Sequence, residues 1–149
     1  MAHAQQQVLD ALQAVLIAGG TLAGTRVFVD RVDPLQREEL PAILIEEDGD
    51  GESAETDDLE GIERRVLRVV IGCVLADSDS AAADGRAFGL VVEKLVSPSA
   101  AIRAFSATGP RLTSSRLLQN GEGDRLLGGR QQAWLIDYCV DPSAPDVIL

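Results

Sequence analysis

Ile62 to Leu75, IERRVLRVVIGCVL, reads as one long β-strand, and its two faces decide the fold. One face carries Glu63, Arg65, Leu67, Val69, Ile71, Cys73 and Leu75, and the other Arg64, Val66, Arg68, Val70, Gly72 and Val74. The first half is charged at alternate positions, whereas the second half is apolar on both faces. A strand apolar on both faces is expected to be covered on both. At roughly 3.3 Å per residue it runs about 40 Å, far beyond the usual strand, so its charged end is expected to project beside the segment before it.

That preceding segment is the most concentrated charge in the chain. Glu46 to Glu60, EEDGDGESAETDDLE, holds nine acids and no base: Glu46, Glu47, Asp48, Asp50, Glu52, Glu55, Asp57, Asp58 and Glu60. Setting those nine aside from 24 acids leaves 15 against 13 bases, so a formal charge of -11 belongs to one segment of a near-neutral domain. With Gly49, Gly51 and Ser53 and almost nothing apolar, residues 46–60 read as a mobile acidic loop that cannot offset the entropy of ordering.

Upstream, Val8, Leu12, Val15 and Leu16 recur at helical spacing, and Gly19-Gly20 supplies a stop, which predicts an amphipathic helix. Arg26 to Val32 reads as a strand ending at Asp33-Pro34, and Ala42 to Glu46 as a second strand entering the acidic segment. Downstream, Asp77 or Ser78 caps a helix with a buried stripe of Ala81, Phe88, Val91, Val92 and Leu95. Ser97-Pro98 ends it and opens a short second helix with Ile102 and Phe105 inward. Arg111 to Leu118 reads as a strand with a polar middle, 120–130 as a long flexible hairpin or loop, and Gln131 to Val140 as the last strand. Residues 141–149 read as a Pro-rich C-terminal tail. The predicted fold is α/β (α+β), a single mixed, mainly antiparallel sheet of four to five strands with two to three helices packed on it. The whole chain, 1–149, is expected to be one domain.

Composition narrows the chemistry. Five aromatic residues leave no stacking platform for single-stranded nucleic acid. The only histidine, His3, sits near a terminus, and GxxxxGKS, GxSxG and CxxC are absent from the sequence, so no catalytic residue, metal ligand or cofactor is assigned. Asp48-Gly49-Asp50-Gly51-Glu52 starts like a calcium loop but puts Ser53 at the sixth position and Leu59 at the twelfth, where glycine and a bidentate Glu are required. Cys73 and Cys139 lie in apolar runs and read as small hydrophobes. No base precedes Arg26, and VLIA falls short of a signal-peptide core or a membrane span, so a cytoplasmic protein without a membrane partner is expected.

The succession of an amphipathic helix, RVFVDRVDPLQREELPAILI, an acidic Gly-containing segment, ERRVLRVVIGCV, a helix pair and the closing AWLIDYCVD resembles the tail terminator proteins of long-tailed bacteriophages, the minor tail protein U type. The resemblance runs from about Gln5 to Asp141. It rests on residue classes, with Arg31, Pro34 and Leu35 leading into Leu40-Pro41-Ala42-Ile43, Glu63-Arg64, and Tyr138 as the best-matched parts. It implies a hexameric ring that caps the head-proximal end of the tail tube, stops tube polymerisation and meets the head-to-tail connector, with DNA passing through the lumen unbound. The implied location is the virion tail, after assembly in the host cytoplasm. Tail-completion and neck proteins share a similar fold and are the alternative reading; an acidic DNA-mimic inhibitor and an enzyme working through two carboxylates are more distant ones. Arg31, Arg37, Arg64, Arg65 and Arg68 flank the acidic segment. They are the candidates for contact with a neighbouring subunit or the tube, and the nine acids are candidates for a lumen lining or interface.

Overall fold

The computed structural model describes residues 2–57, 61–118 and 127–149. At its centre lies β3 (Ile62–Ala76), paired antiparallel on one side with β2 (Ala42–Asp57) and on the other with β5 (Leu127–Asp141). β1 (Val27–Val29) joins β2 in parallel, β4 (Arg111–Leu117) joins β5, and β6 (Ala144–Ile148) pairs with the far end of β5. The result is a six-stranded mixed sheet, antiparallel except at β1, in the order β1-β2-β3-β5-β4 with β6 on β5. This is the α+β architecture expected, with one strand more than expected.

Helices α1 (Ala4–Ala18), α2 (Ala81–Val96) and the short α3 (Ala100–Arg103) contribute their buried residues to a single core. Val8, Leu12 and Leu16 of α1, Phe88 and Val92 of α2, and Ile102 of α3 meet Leu67, Val69, Ile71 and Cys73 of β3 and Trp134, Ile136 and Tyr138 of β5. One face of the long strand is thus the core face. α2 comes down close on the sheet because it presents glycines there: a Cβ on Gly85 would lie 2.7 Å from the Gly129 carbonyl carbon.

Cover on both faces of β3 is found at its apolar end, where Ile71 to Leu75 are all buried. There the second face is closed by a small cluster of Leu35, Ala42 and Val74 with Phe28, Leu40, Leu44, Leu118 and Leu127 around it, and further along Ser106 and Thr108 cover Asp137. Val66 and Val70 are half-buried, and an antiparallel sheet tolerates one such solvated face. The charged end does not project by itself, because Glu63 to Arg68 pair with Val140 to Leu135 of β5.

The mobile acidic loop is corrected as well. From Glu46 to Asp57 the chain is strand, with Glu52 to Asp57 facing Leu67 to Ile62. Polar side chains do not prevent this, because a strand is held by its backbone ladder, and here β2 pairs with β3 on both sides of one bulge. The glycines serve a bulge: Asp48, Gly49, Asp50 and Gly51 lie between the paired Glu47 and Glu52 while β3 supplies only Arg68, and Gly51 takes a φ of 61°. Asp58 and Glu60 lie outside the described residues, as do residues 119–126 of the expected hairpin loop. The tail 141–149 is also corrected: Asp141 accepts from the backbone N and Oγ of Ser143, closing a turn that returns β6 onto β5.

Boundaries shift by local causes. β1 stops at Val29 because Asp30 takes a φ of 54°, its amide bonding the Ile45 carbonyl at 2.9 Å. Ser80 holds the N-cap position of α2 without a side-chain cap bond, and Ser99 caps α3 by accepting from the Ile102 amide, each one turn or less from the residues expected. Val91 of α2 is exposed, its place taken by Gly85, Gly89 and Val96.

Candidate functional site

Because side chains alternate along a strand, the acidic β2 and the basic start of β3 divide their charges between the two sides of the sheet. Glu47 and Glu52 fall on the core side. Glu47 accepts from Gln5 Nε2 of α1 at 2.7 Å. Glu52 accepts the phenolic hydrogen of Tyr138, a fully buried residue, and lies 3.7 Å from Arg65 Nη1. Arg65 also donates to Glu63 at 2.6 Å, and its Nη1 sits 3.3 Å from His3 Nε2. Burial first, and then the Glu52 carboxylate, raise the Tyr138 pKa well above its ordinary value. Burial works against the Arg65 charge, but its bond to Glu63 and the fields of both acids outweigh this and raise its pKa.

On the open side, Arg64 reaches Asp137 at 3.4 Å and Glu55 at 4.0 Å. Asp137 is 2% exposed and accepts from Ser106 Oγ at 2.7 Å, Thr108 Oγ1 at 2.8 Å and the Thr108 amide at 3.3 Å. Burial pushes its pKa up, yet the Ser106 and Thr108 donors and the Arg64 charge prevail and hold it below the ordinary carboxylate value. Arg68 is half-buried, and its side chain makes no hydrogen bond or ion pair among the described residues.

The five arginines singled out from sequence therefore do not form one cluster. Arg31 holds Glu39 through two bonds of 2.6 and 2.8 Å and stacks 4.5 Å over Phe28, which fixes the segment between β1 and β2. That pairing raises the Arg31 pKa and lowers that of Glu39. Arg37 is exposed on the single 3₁₀ turn, Arg37–Glu39. Arg65 is on the core side, and only Arg64 and Arg68 share the open face. Of the acids, Glu46 and Glu55 are exposed on the open side, Asp48 and Asp50 sit in the bulge, and Asp57 pairs with Ile62 through its backbone.

Sequence reasoning missed Arg111 and Arg116. Arg111 pairs with Leu135, itself opposite Arg68, and Arg116 pairs with Gln131 and donates to its Oε1 at 3.0 Å. The alternation of RLTSSRL was the signal available, since it puts both arginines on one side once the bulge at Thr113 is counted.

A shallow groove of about 440 Å³ between α2 and the β4–β5 ribbon is lined by Arg86, Leu90, Glu93, Arg130 and Gln132 among others. Gln132 is buried and committed, donating to the Gly89 carbonyl at 3.0 Å and accepting from Trp134 Nε1 at 3.2 Å. Cys73 is buried on the core side, and burial, with the Glu93 charge added, pushes its thiol up to about 12, so it stays protonated at neutral pH. Cys139 lies on the opposite side of the sheet, and both thiols are free. Among the described residues no group of three or more His, Cys, Asp or Glu is placed to hold a metal ion, and no helix is long and apolar enough to cross a membrane.

Compared with known proteins, the chain matches no family model and no curated sequence.

Proposed function

We propose that this chain is a phage tail terminator, a structural virion subunit that assembles as a ring of six on the head-proximal end of the tail tube. The ring stops tube polymerisation and presents the surface to which the head-to-tail connector docks, while DNA passes through its lumen. The observation that carries this reading is the order of elements: α1, β1, an acidic strand β2, the long β3, the α2–α3 pair and the closing β5 follow the succession on which the family resemblance rests. The acidic strand fits it physically. Six copies would gather 54 acids, of which the exposed ones such as Glu46, Asp50 and Glu55 can face a lumen, and DNA carries one negative charge per about 1.7 Å of axis, so a lining of this sign keeps the duplex from adhering. Screening over about 8 Å confines that effect to strands near the axis.

Strand placement bears on the DNA-mimic alternative too. Rigid carboxylates every second residue would repeat at roughly 6.6 Å. On β2 that row is broken: Ser53 stands between Glu46 and Glu55 on the open side, the bulge interrupts the ladder, and Glu52 is engaged by Tyr138 and Arg65. The terminator reading is favoured for that reason.

Electron microscopy of tails assembled with and without the protein tests it. Overlong, headless tubes in its absence are expected; tails of normal length that fail to join heads would replace the terminator with a completion protein.

A further inference from the structure

We propose that the open face of the sheet is a binding surface for the acidic bulge of a second copy of this chain. The inference deepens the ring reading and rests on it for the choice of occupant. The face has a half-buried floor of Val66, Val70 and Leu135, bordered by Leu44, and among the described residues no helix covers it. Across that floor Arg68, Leu135 and Arg111 stand side by side on β3, β5 and β4, with Arg116 further along β4. Neither the Arg68 nor the Arg111 side chain has a hydrogen bond or ion pair among the described residues. A solvated sheet face needs no such arrangement, whereas a partner surface does: cationic groups over an apolar floor suit an acidic segment that can be partly desolvated.

The complementary element is on the same chain, beside Arg68 but away from Arg111 and Arg116. β1 pairs with β2 only as far as Ile45, so from Glu46 onward no strand among the described residues occupies the outer edge of β2. There the bulge Asp48-Gly49-Asp50-Gly51 stands out from the ladder, with Gly49 and Asp50 exposed and Glu46 beside them. Within one chain this edge cannot serve Arg111, which lies three strands away, roughly 14 Å at 4.8 Å per strand. The Arg111 and Arg116 end of the face and the acceptor bulge are therefore different patches, and a contact between them is head-to-tail. Such heterologous contacts close into rings when the rotation permits and otherwise extend as filaments.

Two charge-reversed chains test the pairing. One carries Arg68→Glu with Arg111→Glu, the other Asp48→Lys with Asp50→Lys, and circular dichroism checks that each is folded. Mass is followed by light scattering and sedimentation at low and high salt. The wild type is expected to associate at low salt, and each variant alone to associate roughly a hundredfold more weakly or worse, because like charges meet. A 1:1 mixture of the two should regain the wild-type mass, since reversed face then meets reversed bulge and native face meets native bulge. Neutral Arg68→Gln with Arg111→Gln gives an intermediate loss and serves if a reversed chain is unfolded. A wild type that stays monomeric, single variants that associate normally, or a mixture that stays monomeric would each overturn the proposal. Tail capping separates the two readings. Normal capping by the face-reversed chain defeats this contact and leaves the terminator standing, whereas charge-dependent association without capping does the reverse.

Discussion

The phenol of Tyr138 donates to the carboxylate of Glu52, joining the centre of the core to the acidic strand. Tyr138 is fully buried on β5, Glu52 lies two strands away on β2, and Arg65 of the intervening β3 completes the contact at 3.7 Å. Arg65 and Tyr138 are directly paired, and Glu52, opposite Leu67, reaches both diagonally, so three strands contribute a hydroxyl, a guanidinium and a carboxylate to one contact. It explains how an acid-rich segment is held in a ladder: its first residue after the bulge is anchored in the core, and the following pairs down to Asp57 extend from that anchor.

Tyr138→Phe should therefore cost about 1.5–3 kcal/mol, the range for a hydrogen bond to a charged acceptor, and Glu52→Ala more, since it leaves both Tyr138 and Arg65 short of a partner. A double-mutant cycle in urea unfolding should return a coupling of about 1 kcal/mol or more. The pH dependence has a definite sign. The folded pKa of Tyr138 is raised, so its contribution is complete below the unfolded value of about 10 and is lost as pH rises above it. Wild type should lose stability with rising alkalinity more steeply than Tyr138→Phe, and parallel profiles would contradict the anchoring role.

Asp137 predicts the opposite limb. Its folded pKa is depressed, so it stabilises above the unfolded value near 3.9 and ceases to as pH falls through the folded one. Asp137→Asn keeps the shape but weakens the acceptor for Ser106, Thr108 and Arg64, and a loss of about 1–3 kcal/mol at pH 7 is expected. Acid unfolding of this variant should be flatter below about pH 4, with Glu39 and Asp141 supplying the slope that remains.

What was legible in the sequence follows from how far each signal reaches. The alternation in Ile62 to Leu75 is local and strong, and Leu67, Val69, Ile71 and Cys73 are buried as it requires. The acidic strand was illegible because composition speaks of side-chain burial, while β2 is held through its backbone by a neighbour the sequence does not name. Proline in Asp141 to Ile148 suggested a tail, but Pro145 lies on the edge strand β6, where a missing donor does little harm. The closeness of α2 to the sheet was hidden because Gly85 and Gly89 contribute by having no side chain. Arg111 and Arg116 became relevant only when the β4–β5 register put them on the face that holds Arg68.

That closeness can be measured. Gly129 has a φ of 128°, and a Cβ there would lie 1.9 Å from the Cys73 carbonyl oxygen. Gly129→Ala should cost about 4 kcal/mol or more, combining backbone strain with a clash against rigid backbone. Gly85→Ala, pressing α2 against Gly129, should cost about 1–3 kcal/mol. Gly20→Ala has a φ of 64° but open space around the added methyl, so it should lose only the strain of about 1 kcal/mol. Chemical denaturation of the three should preserve that order.

Arg64 and Arg68, four positions apart on one face of β3, should respond differently to the same change. Arg64 lies against the buried Asp137, so Arg64→Glu brings a second carboxylate to a site built for one charge pair, and a loss of about 2 kcal/mol or more is expected. Arg68 has no acceptor to abandon among the described residues, so Arg68→Glu should leave the isolated chain within about 0.5 kcal/mol of wild type. Any failure of the Arg64 variant to cap tails would then reflect folding, whereas a failure of the Arg68 variant, its melting temperature unchanged, would reflect a lost contact. Thermal melts of both variants beside a tail-length assay separate these causes, and an Arg68→Glu chain as destabilised as Arg64→Glu would show that Arg68 serves the fold rather than a partner.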